Sequence, residues 1–293
     1  MNILLCGAHG FIGRHVHAAL LAAGHRVTAL GRHTTPALDF THATAPADWL
    51  PHLAGMDAVV NTVGVLRDTR RRPMHAVHDA APRALFDACA QTGLRRVLHV
   101  SALGIVGNPT LYARSKQAAD AHLLALTKAG QLDGTVLRPS VVFGPQGQSS
   151  QLFLALARLP VLLLPHAVQT ARVQPLAVRE LAEAVAHLLE PPHCTGLMEL
   201  GGPRALTLAE LIASLRQQLG HRPARVATLP DALTTLSVRC GDLLPVVPWC
   251  TETLTLLATD NVTDPATLRQ LLGRPTTAPE QLLTATTKAT PNP

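Results

Sequence analysis

One tyrosine and one lysine, four residues apart, form the pair whose chemistry is easiest to define in this chain. Tyr112 is the only tyrosine, and Lys116 follows it in a stretch with helical periodicity, so both side chains are expected on one helix face. A phenol with a pKa of about 10 is a poor base at neutral pH, but a neighbouring positive charge lowers that pKa. Ser101 ends the preceding predicted strand, where side chains reach the cleft beyond the carboxyl ends of a sheet. The three residues predict a site that exchanges a proton with a substrate hydroxyl or carbonyl, although the Tyr–Lys spacing alone is also common on protein surfaces.

A glycine-rich loop near the N-terminus predicts which kind of ligand binds beside that site. The short apolar run Ile3–Cys6 stops at Gly7, and Gly10 and Gly13 follow at intervals of three residues before a helical pattern over Arg14–Ala23. Strand, glycine turn and helix in this order are typical of a dinucleotide site, because the backbone can approach a pyrophosphate and the helix N-terminus favours negative charge. The alternative is a glycine loop that only turns the chain. With a nicotinamide in place, Tyr112 would move the proton while hydride moves to or from the ring.

The elements that must position these residues alternate through the first two thirds of the chain. The predicted strands are Ile3–Cys6, Arg26–Leu30, Ala58–Val63, Val97–Ser101 and Thr135–Arg138. The predicted helices are Arg14–Ala23, Ala76–Gln91 and Leu111–Lys128, and Pro82 predicts a kink or a late start in the second. This order predicts an α/β fold with a doubly wound parallel sheet of the Rossmann type and a smaller, irregular C-terminal substrate lobe.

The predicted domains follow the change of pattern after Gly144-Pro145. Residues 1–145 form the dinucleotide-binding core, to which residues 176–201 return. Residues 146–175 and 202–275 form the smaller substrate or partner lobe, and residues 276–293 a disordered tail.

Composition narrows the class of protein. Hydrophobic residues make up 47% of the 293 residues and charged residues 15%, which suits a large buried core. Five cysteines without a Cys-x-x-Cys pair indicate a reducing compartment, and the N-terminus lacks the pattern of a signal peptide, so a cytoplasmic location is predicted. The most apolar stretch, Leu152–Pro165, is too short to span a bilayer. The net charge of +6 comes without an aromatic-interleaved basic stripe, which argues against nucleic acid as a partner.

The fifteen histidines do not predict a metal site. They are scattered: His15 and His17 are two residues apart and His75 and His78 three, and neither pair has a cysteine or carboxylate cluster beside it. We therefore expect surface histidines and no bound metal.

The sequence resembles the extended or atypical short-chain dehydrogenase/reductase superfamily over nearly its whole length. The motifs that carry the resemblance are Gly7-x-x-Gly10-x-x-Gly13, Asn61-Thr62-Val63-Gly64, Ser101, Tyr112-x-x-x-Lys116 and Arg138-Pro139-Ser140. More narrowly, the segments His99–Gly104, Tyr112–Lys116, Arg138–Pro145 and Asp260-Asn261-Val262 resemble one atypical branch. That branch includes bacterial relatives of the NADPH-binding accessory subunit of respiratory complex I.

The resemblance implies roles for individual residues. Thr62, Val63 and Gly64 would lie under the nicotinamide ribose, Lys116 would hydrogen-bond that ribose, and Pro139 would lie near the carboxamide. Asp39, at the end of a predicted short third strand, would hydrogen-bond the adenine. Asp79 stands roughly where many relatives carry a helix asparagine.

The choice of cofactor can be argued from charge. After the second predicted strand no carboxylate is available for the ribose hydroxyls of NAD, whereas Arg32, with Arg14 directly after Gly13, can pair with a 2′-phosphate. The alternative is that both are ordinary solvated arginines. NADP, and less so NAD, is the predicted cofactor. The predicted cofactor-binding residues are Gly7, Gly10, Phe11, Ile12, Gly13, Arg14, Arg32, Asp39, Thr62, Val63, Gly64, Lys116 and Pro139.

Three functions remain open at this point. The first is an oxidoreductase that moves hydride between NADPH and the carbonyl or alcohol of an unidentified small molecule, with Tyr112 as acid/base and Ser101 orienting the substrate. The second is a non-catalytic NADPH-binding module that stabilises or senses a protein partner. The third is a nucleotide-sugar epimerase or dehydratase that uses the same residues. A homodimer is compatible with each.

Overall fold

A computed structural model describes residues 1–243 and 249–287. The strands are β1 Asn2–Cys6, β2 Arg26–Leu30, β3 Ala58–Asn61, β4 Arg96–Val100, β5 Asp133–Pro139, β6 Val142–Phe143, β7 Val161–Pro165, β8 Arg172–Val173, β9 Leu176–Ala177, β10 Gly196–Leu200, β11 Leu206–Thr207 and β12 Arg225–Leu229. The α-helices are α1 Phe11–Ala22, α2 Leu50–Leu53, α3 Ala81–Thr92, α4 Leu111–Lys128, α5 Gln148–Arg158, α6 His166–Thr170, α7 Val178–Leu189, α8 Leu208–Gln218, α9 Asp231–Asp242, α10 Thr251–Leu257, α11 Ala266–Leu272 and α12 Leu282–Thr287. No described helix is long and apolar enough to cross a membrane.

The chain divides into two units by its internal contacts. Unit 1 comprises Met1–Pro139 and Leu181–Glu199, and unit 2 comprises Ser140–Glu180 and Leu200–Pro293.

Unit 1 is built on a six-stranded sheet in the order β10-β5-β4-β3-β1-β2. The pairs β1–β2, β1–β3, β3–β4 and β4–β5 are parallel, and the chain leaves β1 in one direction to form β2 and returns past it to form β3. This confirms the predicted doubly wound sheet. The reversal between β1 and β3 is the position at which such sheets bind ligands, outside the carboxyl ends of the strands.

The sheet is covered on both faces. Successive strand residues point to opposite faces, yet Ile3, Leu4, Leu5 and Cys6 are all fully buried. Leu4 and Cys6 pack into a cluster with apolar side chains of α3 and α4. A parallel sheet buried on both faces reads as a continuous apolar run, which explains why Ile3–Cys6 was recognisable in the sequence.

The helix before β4 changes type at its proline. His75–Ala80 form a wide π-type turn, and α3 begins at Ala81 with Pro82 in its first turn. Proline lacks the N–H that an α-helix would need further inside, so a change of helix type just before Pro82 avoids the lost hydrogen bond. In this wide turn the side chain of His78 lies in the interior, where it is fully buried.

Unit 2 consists of short elements. Its strands form three two-stranded pairs, β11–β8, β12–β7 and β6–β9. A buried cluster joins α5 and α8 through Phe153, Leu211 and Leu215. In the predicted tail, Pro279–Gln281 form a 3-10 turn, α12 follows, and Leu282 is fully buried in this cluster. The prediction of disorder is therefore wrong for residues 276–287. Burial of the apolar side chain of Leu282 stabilises this segment by more than the conformational entropy that is lost on ordering it. Residues 288–293 of that tail, and residues 244–248 of the predicted lobe, lie outside the described residues.

Candidate functional site

The glycine loop brings the start of α1 against the end of β1. A Cβ atom on Gly13 would lie 2.0 Å from the carbonyl oxygen of Gly7, and Gly7 itself has φ +82°. Only glycine permits both features, since one leaves no room for a side chain and the other is the left-handed backbone conformation. Gly10 precedes the helix without a side-chain cap, and the first turn carries no acidic residue. The first N–H groups of α1 therefore remain suited to an anion.

The turn after β3 packs directly against this loop. The Thr62 hydroxyl donates to the carbonyl of Cys6 at 2.8 Å, and the Val63 N–H donates to the side-chain oxygen of Asn61 at 3.0 Å. A Cβ on Gly7 would lie 3.0 Å from the Thr62 Oγ1. Thr62 is thus half-buried and fixes the two turns side by side at the carboxyl ends of β1 and β3.

One face of α4 carries Tyr112, Lys116 and Asp120 at successive turns. The helix begins after Thr110, whose side chain accepts from the Ala113 N–H at 3.2 Å. Asn108, two residues earlier, accepts from the N–H and the hydroxyl of Thr110.

Lys116 lies in the interior beside the turn after β3. Its Nζ donates to the carbonyl of Val100 at 3.0 Å, and a Cβ on Gly64 would lie 3.7 Å from the same nitrogen. Burial lowers the pKa of Lys116 to about 8, against the opposing effect of the Asp120 carboxylate. The ammonium is therefore costly to keep charged here, and Asp120 is what favours it.

Asp120 is the centre of a buried polar network that the sequence did not reveal. Its Oδ2 accepts from the Ser101 hydroxyl and from the Arg138 Nε, each at 2.9 Å. Burial raises the pKa of Asp120, while these hydrogen bonds and the charges of Arg138 and Lys116 oppose the rise. The hydroxyl hydrogen of Ser101 is therefore directed at Asp120. That carboxylate lies one turn beyond Lys116, and the role of Ser101 in orienting a substrate stays a prediction.

His99 joins this network from β4. Asn61 donates its side-chain N–H to His99 Nδ1 at 3.1 Å, because the Asn61 oxygen already accepts from Val63. The ring proton is then on Nε2, which faces Asp120 Oδ1 at 3.7 Å. Burial, and next the charge of Lys116, lowers the pKa of His99 well below its usual value, so the ring is neutral.

His78 connects the turn after β3 to the first turn of α4. The Val65 N–H donates to its Nε2 at 2.9 Å, which leaves the proton on Nδ1, facing the Ser115 hydroxyl at 3.2 Å. Its ring meets the Tyr112 ring edge to face, with centroids 5.3 Å apart. Burial, with the charges of Lys116 and His99, lowers the pKa of His78 to about 2.

The expectation of surface histidines is therefore wrong for His78 and His99. For His99 a signal was available, since it lies inside an apolar strand. His78 could not be distinguished from its neighbours without the geometry of the π-type turn. Asp79 stands where many members of the resembled family carry a helix asparagine. Its carboxylate pairs with His75 at 3.4 Å and with Arg83 at 3.6 Å.

Tyr112 is half-buried at the outer end of this face. Burial, and next the Asp120 carboxylate, raises the pKa of Tyr112 to about 12. The sequence led us to expect a lowered pKa from Lys116. Burial of the phenol and the negative charge of Asp120 act in the opposite direction.

The residues proposed for the adenosine end lie at the ends of β1 and β2. Arg14 is exposed, and its Nε donates to the Gly10 carbonyl at 3.3 Å. Arg32 is exposed just after β2. The Asp39 carboxylate accepts from the N–H and hydroxyl of Thr41; although burial raises its pKa, these hydrogen bonds and the charges of Arg32 and His42 lower it overall.

Asp39 does not end a third strand. Only one isolated bridge, between Gly31 and Ala37, stands where the short strand was predicted, so the chain reaches Asp39 as a loop. Phe11 and Ile12 are half-buried in the first turn of α1, and Pro139 is buried as the last residue of β5.

The arrangement fits a dinucleotide. A loop without side chains, an uncapped helix N-terminus and a buried lysine beside the neighbouring turn lie at the reversal point of a parallel sheet. Within residues 1–243 and 249–287, no group of three or more His, Cys, Asp or Glu side chains is arranged to hold a metal ion.

Comparisons with known proteins agree with this geometry. The sequence model of the NAD dependent epimerase/dehydratase family matches residues 3–195. A ceramide reductase of Caulobacter vibrioides is 29% identical over 244 residues, which cover 78% of this chain and 74% of that protein. The mitochondrial NADH dehydrogenase [ubiquinone] 1 alpha subcomplex subunit 9 of Rattus norvegicus is 25% identical over 199 residues, 67% of this chain and 51% of the subunit.

A solved structure of UDP-glucuronic acid 4-epimerase from Bacillus cereus, in complex with UDP-glucuronic acid and NAD, has the same fold. Its TM-score is 0.70 at 17% identity, with 97% of each chain covered. The glycine loop, the doubly wound sheet and the family match lead to one conclusion: this chain belongs to the NAD dependent epimerase/dehydratase family, with its NAD(P)-binding oxidoreductase fold.

Proposed function

We propose that this protein is an NADP(H)-dependent oxidoreductase that reduces the carbonyl group of a small molecule, with Tyr112 as the proton donor. The observation that carries the proposal is the shared helix face of Tyr112 and Lys116, with the Lys116 ammonium beside Gly64 in the turn that lies against the glycine loop. A proton donor and a dinucleotide cradle are the two parts that carbonyl reduction needs.

The cofactor would be held mainly by backbone. The N–H groups at the start of α1 bind the pyrophosphate, Thr62, Val63 and Gly64 support the nicotinamide ribose, and Pro139 borders the carboxamide. Lys116 serves the ribose with the ammonium that the structure holds beside Gly64. When bound, the reduced nicotinamide supplies the hydride.

In the reducing direction the Tyr112 phenol acts as the acid. A phenol that stays protonated at neutral pH can donate to the substrate oxygen as negative charge develops there. The carbonyl carbon gains the hydride, its oxygen gains the Tyr112 proton, and solvent returns a proton to the phenolate. Lys116 stabilises that phenolate electrostatically. The relative described as a ceramide reductase supports the same direction.

NADP is proposed over NAD because two exposed arginines, Arg14 and Arg32, lie where a 2′-phosphate would be recognised. NADPH is expected to raise the melting temperature more than NADH at equal concentration, since a ligand that binds the folded state stabilises it. Arg32→Asp should reverse that order, while Arg26→Asp, an exposed arginine at the opposite end of β2, should leave it unchanged. Equal shifts with both nucleotides would contradict the NADP assignment.

The catalytic assignment is tested with Tyr112→Phe, which removes one hydroxyl and keeps the ring against His78. Turnover of NADPH in a screen of aldehydes, ketones and quinones is expected to fall about 100-fold or more, with little change in NADPH affinity. Lys116→Met should weaken both, because the lysine serves the ribose and the phenol. UDP-sugars belong in the same screen, and activity on them alone would indicate an epimerase or dehydratase.

A second candidate is a non-catalytic NADPH-binding module. It is favoured by the Ser101 hydroxyl, which is engaged with Asp120, and by the likeness to a subunit of NADH dehydrogenase. In that case NADPH still stabilises the protein, yet Tyr112→Phe equals the wild type in every substrate screen.

A further inference from the structure

The two-stranded sheet of β7 and β12 in unit 2 exposes apolar side chains on one face. In β7, Leu162 and Leu164 are buried, while Val161 and Leu163 are 53% and 60% exposed. The register pairs Val161 with Arg225 and Leu163 with Ala227, so these four side chains share the outer face. Leu159, 47% exposed, continues it at the end of α5. We call these five residues the β7–β12 face.

This apolar face is bordered by positive charge. Arg158 directly precedes Leu159 and Arg222 comes three residues before Arg225; both are exposed, and Arg225 lies on the face itself. The two segments that build and flank the sheet, 152–171 and 219–230, contain no aspartate or glutamate. Exposed aliphatic side chains with basic residues around them are the features that bind peripheral proteins to anionic lipid, because apolar burial and electrostatic attraction act together.

We propose that the β7–β12 face docks this protein on the surface of an anionic lipid membrane, without spanning it. Val161 and Leu163 enter the boundary between head groups and acyl chains, and the three arginines contact lipid phosphates. A second copy of the chain suits the face less well. In a two-fold dimer the face would meet itself, and Arg225 of one copy would approach the same basic cluster in the other. The inference concerns unit 2 alone and does not depend on the proposed reaction.

The test is co-sedimentation of the full-length protein with two kinds of vesicle, phosphatidylcholine alone and phosphatidylcholine with phosphatidylglycerol. Binding is expected only to the anionic vesicles, and it should weaken as salt rises. Replacing Arg222 and Arg225 by serine should reduce binding about fivefold per arginine. The pair Val161→Thr and Leu163→Thr places β-branched residues, which suit a strand, at both positions and should reduce binding about tenfold or more.

Matched controls lie in unit 1. Leu21, 52% exposed on α1, and Arg26, exposed on β2, are changed to serine and should leave vesicle binding unaltered. Melting curves confirm that each variant is folded, and the two arginine changes provide a second route if the strand variant unfolds. Equal binding to both vesicle types, no binding to either, or equal losses in the controls would overturn the proposal. A further outcome would also overturn it: the variants of the β7–β12 face bind vesicles as the wild type does but sediment as monomers where the wild type sediments as a dimer. That result would assign the face to a second copy of the chain.

Discussion

The glycine loop and the face of α4 that carries Tyr112, Lys116 and Asp120 contribute to the site in opposite ways. The loop between β1 and α1 works through missing side chains, and its tightest approach, between Gly13 and the Gly7 carbonyl, lies within the first thirteen residues. The α4 face works through buried ionisable side chains whose partners come from β4, from Ser101 directly after it and from β5. A site made of backbone can be recognised locally. A site made of buried charges depends on groups that are distant in the sequence.

The largest effect should come from filling the loop. In Gly13→Ala the added Cβ would lie 2.0 Å from the Gly7 oxygen, so α1 must move away from β1. We expect the free energy of unfolding to fall by about 3 kcal/mol or more and nucleotide binding to be lost. Urea unfolding and NADPH thermal shifts measure both.

The control is Gly31→Ala, where the nearest atom to a new Cβ is 4.0 Å away. It should cost little stability. If Gly13→Ala were as stable as Gly31→Ala, close packing of loop and helix would not be what shapes this part of the site.

The next effect concerns the centre of the buried network. Asp120→Asn keeps the shape but removes the charge that faces Arg138, leaving a buried guanidinium without its anion. The free energy of unfolding should fall by about 2–3 kcal/mol, less than for complete removal because the amide oxygen still accepts hydrogen bonds. Asp133→Asn removes the half-buried partner of the exposed Arg95 and should cost under about 1 kcal/mol. Equal costs would mean that burial does not distinguish the two pairs.

A smaller effect follows from the lowered pKa of Lys116. Between its folded pKa of about 8 and the ordinary 10.5, the unfolded chain holds a proton that the folded chain has lost. The unfolding free energy therefore gains a contribution that rises with pH in this window, by up to about 1 kcal/mol per pH unit. Below pH 8 that contribution is flat. Lys116→Met lacks this contribution. In urea titrations the free energy of unfolding of the wild type should therefore rise relative to that of Lys116→Met from pH 8 to pH 10. A constant difference would contradict the burial of a titrating ammonium.

The smallest effect is on the titration of Tyr112. As the only tyrosine, it can be followed by phenolate absorbance once the two tryptophans are subtracted. The wild type should ionise with a midpoint of about 12, and Asp120→Asn should move that midpoint downward, since one cause of the raised pKa is removed. An unchanged midpoint would leave burial alone as the cause.

Much of unit 1 could be predicted because its signals are local. The strand at Ile3–Cys6, the loop glycines and the Tyr112–Lys116 helix each depend on a few consecutive residues, and the doubly wound sheet follows from their order. The sequence missed the surroundings of several residues, and the partners of Ser101 and of the two buried histidines are far away in the chain. Ser101 was interpreted without Asp120, the two buried histidines without Asn61 and Ser115, and Asp39 as the end of a strand that has only one bridge.

The sequence by itself determined the family, the parallel fold and the glycine cradle, since periodicity and the absence of a side chain are properties of the chain alone. Tertiary structure decided the protonation chemistry. The pKa values of Tyr112 and Lys116 depend on burial and on how close Asp120 lies, and the tautomers of His78 and His99 depend on which N–H group reaches each ring. Coulomb energies and desolvation vary with distance in space, and distance in space is what a linear sequence does not contain.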